Sequence, residues 1–535
     1  MDTSSPSYPA IPHLLSRIAL LAIGGLLSLG LLIVTLDYID GYIRRRAFGS
    51  IPIVDEHSRL SYILRWFSGP FDALEKVFEA YEKYSKANIP FVMRIQGDHH
   101  AISLPPSSGK EIRAIGHEKL SFLHALNQFA DMYMHTNVLS RTPIEAVHSC
   151  SNEATMKKFQ EQLAAEADKH LPPVFNPLGS QDWTEVTPMK AVFKAISPIA
   201  TSLILGPNSP HAVEFTALAA EYNRLKMANR RLRGDFPRFL RPVVWQFAPT
   251  CRGLRKTISL LKVILLPEIQ RRVNIVRSGT KHQNGHTTGF SLLDALIEAT
   301  IKNGSLSRRD ASNDAPAVDL IAQQLMLFHF ELSRATGVNI VFLLYRIMNH
   351  PEYVQPLRDE ITKALETSGG EWVFDMLKLA PKLESFNREV FRMHDISVFI
   401  NIRLVMQTVH LDSVNLTLKP GTLISTPSRP VHFDPLYYPD PYTFNGYRFY
   451  DAETNTCSPR ISTTSATYLP WSHGPGACPA RNIASQITRV MFIKLLMLYD
   501  FRVANEVMPD YERIVERVIY FPNPDVRMGV RPRKG

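Results

Sequence analysis

The strongest apolar signal in the chain is near its amino terminus, where Ile18 to Leu36 runs for nineteen residues without a charge. At about 1.5 Å rise per residue such a helix reaches roughly 28 Å, close to the ~30 Å hydrocarbon core of a bilayer. Arg44, Arg45 and Arg46 follow the run, and basic residues beside a span hold that side in the cytoplasm. The pattern predicts a luminal segment over 1–17, a single transmembrane anchor over 18–36 in membrane lipid, a linker over 37–55 and a globular body over 56–535. A signal peptide would have a shorter apolar core ahead of a small-residue cleavage site. The alternative is a buried core helix.

Within the body, alternation suggests short strands between 89 and 105, and the helical period dominates from about 110 to 375. Helices are predicted at 154–169, 211–230, 253–277 and 289–302. The longest runs from Val318 to Asn349, between Pro316 and Pro351, and at 1.5 Å per residue covers roughly 48 Å. It is apolar on nearly every side, as a buried central helix must be. Residues 396–427 alternate and carry β-branched side chains, which predicts a small sheet. A proline-rich loop region follows from 430 to 470, and a last helix is expected over 479–498. The fold class is therefore mainly α with small β-sheets.

Composition changes this picture little. The chain is 45% hydrophobic and 21% charged, so it can bury a large core. Its formal net charge is +10, but the basic residues are scattered and form no aromatic-interleaved groove, so nucleic acid is not an expected partner. A surface of this sign suits anionic lipid or an acidic redox partner. The four cysteines, at 150, 251, 457 and 478, contain no C-x-x-C pair and build no disulfide framework. No phosphate-binding glycine loop, H-E-x-x-H or G-x-S-x-G is present.

Candidate chemistry concentrates at Trp471-Ser472-His473-Gly474-Pro475-Gly476-Ala477-Cys478-Pro479-Ala480-Arg481. A cysteine just ahead of a helix has backbone N–H groups and the positive dipole end near its sulfur, which lowers the thiol pKa. A thiolate is what an electron-donating axial ligand of haem iron requires. A lone cysteine in such a loop can equally be structural. Glu389-Val390-Phe391-Arg392 is an E-x-x-R whose charged ends share one helix face. Arg448, in Phe444-Asn445-Gly446-Tyr447-Arg448-Phe449, lies between it and the cysteine.

Together these segments resemble the cytochrome P450 family, in particular its fungal secondary-metabolism members. Trp471, Gly474 and Cys478 stand at the aromatic, glycine and cysteine positions of the family's haem loop, and Glu389, Arg392 and Arg448 at its structural clamp. The resemblance implies the cytochrome P450 fold, haem b ligated by Cys478, and electrons from an NADPH-cytochrome P450 reductase. It implies a monooxygenase acting on a lipophilic small molecule of terpenoid, polyketide or alkaloid-like type at the endoplasmic reticulum membrane.

Three departures qualify the resemblance. Counting back from His350-Pro351-Glu352, Arg334 falls where the family's acid is expected and Ala335 where its alcohol is expected, with Thr336 one place late. Arginine does not relay a proton at neutral pH. Either Thr336 serves, or water and substrate supply the proton, or oxygen cleavage is not the reaction; Glu331 and Arg334 are also spaced to pair. Gly476 occupies the position of a basic residue that contacts a haem propionate, and Arg403 is the candidate to replace it. Ala480 replaces a glycine. These departures leave open a haem-thiolate isomerase, dehydratase or cyclase, and a non-catalytic haem-binding protein.

Overall fold

The long apolar stretch is a single helix of thirty-five residues that runs through the core of the computed structural model. The helices that frame the site are α1 (Glu153–His170), α2 (Pro188–Leu205), α3 (Ala212–Gly234), α4 (Pro249–Ser278), α5 (Ala315–Asn349), α6 (Pro381–Met393) and α7 (Arg481–Leu498). The structure describes residues 45–54, 73–96, 99–129, 140–234, 241–278, 289–307, 314–369, 374–505, 510–515 and 519–533, with scattered positions between 24 and 43. Much of the expected anchor over 18–36 lies outside the described residues. Its described positions are helical, and Leu31, Leu32 and Val34 among them are exposed.

Helix α5 begins three residues before the predicted start because Pro316 falls in its first turn, where a missing N–H costs nothing. It packs on α2, α4, α6 and α7. Among the described residues two helices, α2 and α5, are long and apolar enough to cross a membrane, but both are mostly buried in the protein, as core helices are. The pattern of apolar positions does not single out α2, since it contains Pro198 as well as starting at Pro188. An internal proline removes one hydrogen bond and crowds the preceding turn. Burial of Val192, Ala195, Ile196, Ile199 and Leu203 outweighs that cost. Gly337 lets α2 pack closely on α5, since a Cβ there would lie 2.7 Å from the Phe193 ring.

The main sheet has five strands: β1 (Phe91–Gln96), β2 (His99–Ser103), β3 (Leu120–Ser121), β4 (Phe399–Val405) and β5 (Leu423–Pro427), in the order β1-β2-β5-β4-β3. The β2–β5 pair is parallel and the others antiparallel. The β4–β5 register shifts between Ile400 and Arg403, and Asn401 there has φ 55°. A bulge of this kind re-aims side chains; here it turns Asn401 toward the cysteine loop. Near the carboxyl end β6 (Glu512–Val515) and β7 (Ile519–Pro522) form a hairpin.

Phe386 of α6 is fully buried and stacks on Phe492 of α7, with ring centroids 5.8 Å apart. Phe386→Ala is expected to destabilise the fold by about 3–5 kcal/mol through lost burial and a residual cavity. A denaturation midpoint unchanged from the parent would contradict this packing.

Candidate functional site

The site is built where α6, the loop at 471–480 and the start of α7 meet. Glu389 is fully buried on α6, and its carboxylate is shared by two guanidinium groups. Arg392 donates through Nε and Nη2 at 2.7 and 2.8 Å, and Arg448 through Nε at 3.0 Å. The second positive charge is balanced by carbonyl oxygens. Arg392 donates to His432 and Pro441, and Arg448 to Pro439, Asp440 and Thr443. The three residues thus knit α6 to the irregular chain between 432 and 448, and every donor that points inward has an acceptor. A neighbouring pair, Glu384 with Arg489 at 2.6 Å, ties α6 to α7.

This frame carries the loop. The Ile461 amide donates to Glu384 at 2.8 Å, and the Trp471 indole N–H donates to the Ile461 carbonyl at 2.7 Å. The Trp471 ring lies 5.2 Å from Phe391, and Cys478 packs against the same aromatic cluster. The Cys478 amide donates to the Trp471 carbonyl at 2.7 Å, which closes the loop on itself. Gly474 has φ 78°, a conformation that disfavours side chains, and a Cβ there would also meet Arg113 at 3.2 Å. Asn401 of the bulge accepts from the Ser472 hydroxyl and from the His473 amide at 2.9 Å. Asn401 and Arg113 were not singled out by sequence; an asparagine inside a predicted strand was the one available signal.

The last helix starts at Arg481, two residues later than predicted, because Pro479 and Ala480 form the turn that carries Cys478 into it. The donors expected to lower the Cys478 thiol are present, but burial opposes them. Burial pushes it up to about 11; the Ala480 and Arg481 amides and the Arg481 charge pull downward, and the Glu331 carboxylate adds to the rise. The helix-terminal donors are present but do not outweigh desolvation.

Arg403 on β4 supplies the positive charge that the loop lacks. It is 4% exposed, and a Cβ at Gly476 would fall 1.9 Å from its Nη2. Gly476 is therefore the gap through which the guanidinium enters. Arg403 donates to the Ile402 carbonyl at 2.8 Å and lies over the Phe122 ring, and among the described residues no carboxylate pairs with it. Burial alone lowers its pKa to about 10. Burial, with Arg141 and Arg403 nearby, lowers His117, and burial with Arg113 lowers His473. A buried, uncompensated cation is costly unless an anion joins it, so this corner fits a carboxylate-bearing group beside Cys478. The propionates of haem b meet that requirement.

On the opposite wall, α5 shows a stripe that is more open than its flanks. Leu327, Phe328, Glu331, Arg334 and Ala335 follow helical spacing, and Glu331 is the one exposed position between Ala317 and Met348. On a helix packed on all sides, such a stripe must face an internal cleft. Arg334 lies over Phe521 of β7 at 4.6 Å and Phe193 of α2 at 5.8 Å. Thr336 is 1% exposed and donates to the Leu332 carbonyl of its own helix, on the packed side. Of the three residues proposed for oxygen handling, the structure puts Arg334 and Ala335 on the open stripe and Thr336 off it. The β6–β7 hairpin is held by Glu512, which accepts from Arg429 and bonds His394 at 2.6 Å.

Comparison with known proteins bears on the family. A family model described as Cytochrome P450 matches residues 132–525. A bicoumarin synthase from Aspergillus desertorum is 54% identical over 96% of this chain and 97% of that protein. A bicoumarin synthase from Aspergillus niger is 45% identical over 76% of this chain and 96% of its own length. A cytochrome P450 monooxygenase from Aspergillus flavus is 43% identical over 88% and 98% respectively.

Glu389→Gln removes the charge that two buried guanidinium groups share. Breaking a buried ion network from one side costs about 3–5 kcal/mol, so the unfolding midpoint in denaturant should fall sharply. A loss below about 1 kcal/mol is what a solvated surface pair would give, and would refute the clamp.

Proposed function

The chain belongs to the cytochrome P450 family, and on that premise we propose that Cys478 is the axial thiolate of its haem and Arg403 the principal partner of a propionate. The protein is a haem-dependent monooxygenase of fungal-type secondary metabolism acting on a lipophilic small molecule. Its haem b supplies dioxygen chemistry, with electrons from NADPH delivered through a reductase. The observation that carries the assignment of Arg403 is its entry into the space above Gly476.

The polypeptide's part follows from the residues. Trp471, Phe391 and the Cys478–Trp471 backbone bond hold the sulfur in one place. With haem bound, the amides of Ala480 and Arg481 would draw charge from the sulfur and temper its donation to iron. Arg113 and Arg403 give the loop side a positive field. Across the cleft, Phe328, Phe521 and the flat Arg334 guanidinium offer planar surfaces to an aromatic substrate.

Two relatives that this chain matches over most of its length are named bicoumarin synthases. The reading we favour is therefore oxidative joining of two hydroxycoumarin units, with hydroxylation as the ordinary alternative for the family. Residues 18–36 serve as the anchor, supported by the exposed Leu31, Leu32 and Val34 on a helix, with 56–535 as the cytoplasmic haem domain at the endoplasmic reticulum. NADPH-cytochrome P450 reductase is the expected donor.

Cys478→Ser is expected to abolish the strongly red-shifted carbon monoxide band of the reduced protein; a band that survives excludes this ligand. Arg403→Gly and Gly476→Arg should each weaken haem retention by an order of magnitude or so, as expected for loss of a buried charged partner. The double variant, which returns the cation to the loop, should recover most of it. In membranes with reductase, NADPH and a hydroxycoumarin under labelled dioxygen, the expected product is twice the monomer less two hydrogens, without label. A labelled monomer would establish hydroxylation instead.

A further inference from the structure

The central helix lacks the acid and alcohol at their usual places, yet it does not lack an acid. Helix α5 presents five side chains to the cleft: Leu327, Phe328, Glu331, Arg334 and Ala335. Two are hydrocarbon and one is a methyl group. Arginine holds no site that accepts a proton. The nearby hydroxyls face elsewhere, since Ser333 donates to the His329 carbonyl at 2.6 Å and Thr336 to the Leu332 carbonyl. Glu331 alone on this stripe can take up a proton and release it.

Its neighbours lie on the cysteine loop and on α3. The Glu331 carboxylate is close enough to the Cys478 thiol and to the Tyr222 hydroxyl of α3 to be among the charges that push both upward. Tyr222 is buried, and burial is the larger cause of its shift, so its O–H stays a donor on the roof of the same cleft. Phe330, one position before Glu331, carries the Lys226 ammonium of α3 over its ring at 4.2 Å. The carboxylate thus belongs to the part of α5 that adjoins α3, within electrostatic reach of the Cys478 sulfur.

We propose that Glu331 is the catalytic carboxylate of this cleft, taking the phenolic proton of a bound hydroxyarene as that ring gives up one electron. This rests on the coupling reading above and names the residue that serves it. For each of two hydroxycoumarins the O–H bond breaks, its proton going to Glu331 and its electron to the oxidising system of dioxygen and NADPH that the monooxygenase already uses. The two aryloxyl radicals form one carbon–carbon bond, and the hydrogens on the joined carbons migrate to restore both hydroxyls. Dioxygen, with those two electrons and two from NADPH, leaves as two waters. Glu331 returns the protons it has collected to that reduction, so the helix needs no acid at position 334 and no alcohol at 335.

The test is optical titration of the full-length holoprotein in membranes with 7-hydroxycoumarin and with 7-methoxycoumarin, which lacks the proton. Glu331→Gln keeps the size of the side chain and removes its basicity. It should weaken binding of the hydroxy compound about tenfold, as for loss of a charge-assisted hydrogen bond, and leave the methoxy compound unchanged. Glu331→Asp should restore part of the difference, and the red-shifted carbon monoxide band should be intact in every variant. Equal effects on both ligands, or none on either, in a wild type that couples 7-hydroxycoumarin would overturn the role of Glu331 alone. A wild type that binds neither coumarin would overturn the coupling reading and this proposal with it.

Discussion

One carboxylate, Glu389, does the most to hold the site together. It sits without solvent access between Arg392 and Arg448, and both arginines spend their remaining donors on carbonyls of a chain segment that has almost no regular structure. Loops between elements usually lie on the surface because their backbone polar groups need water. Here the guanidinium groups take the place of water, so an irregular segment can be packed inside. The cysteine loop inherits its position from that segment through Ile461 and Trp471. The arrangement has high stakes, since a buried ionic network is favourable only when complete.

Much of this was legible in the sequence, for two different reasons. Helix α5 shows itself because burial on all sides leaves an unbroken apolar run, and the clamp because Glu389, Arg392 and Arg448 stand where the family resemblance implies them. Cys478 stood out through its glycine and proline punctuation. Helix α2 did not, because Pro198 breaks the local pattern while tertiary packing overrides it. Asn401 and Arg113 were hidden for another reason. Their roles come from a bulge and from a contact made across 361 positions of chain, the distance from Arg113 to Gly474.

The thiol illustrates where local rules stop. A cysteine at a helix start ought to be acidic by dipole and donors alone. Desolvation is the larger effect here, and it opposes the donors of the helix start. The same reasoning separates Arg334 from Glu331: both lie on the open stripe, but only one has a side chain with a proton-accepting oxygen.

The placement of Arg403 has a further consequence. It belongs to the five-stranded sheet, whereas Cys478 belongs to the helical body, so a prosthetic group held by both would act as a staple between two layers. Binding energy would then appear as cohesion of the whole fold, by linkage between ligand and native state. The loaded form should open as a unit, while in the empty form the seam between β4 and the loop at Gly476 rests on the Asn401 bonds to Ser472 and His473. On this reading Gly476 is no defect, because the Arg403 guanidinium fills the space beside it from the other side of that seam.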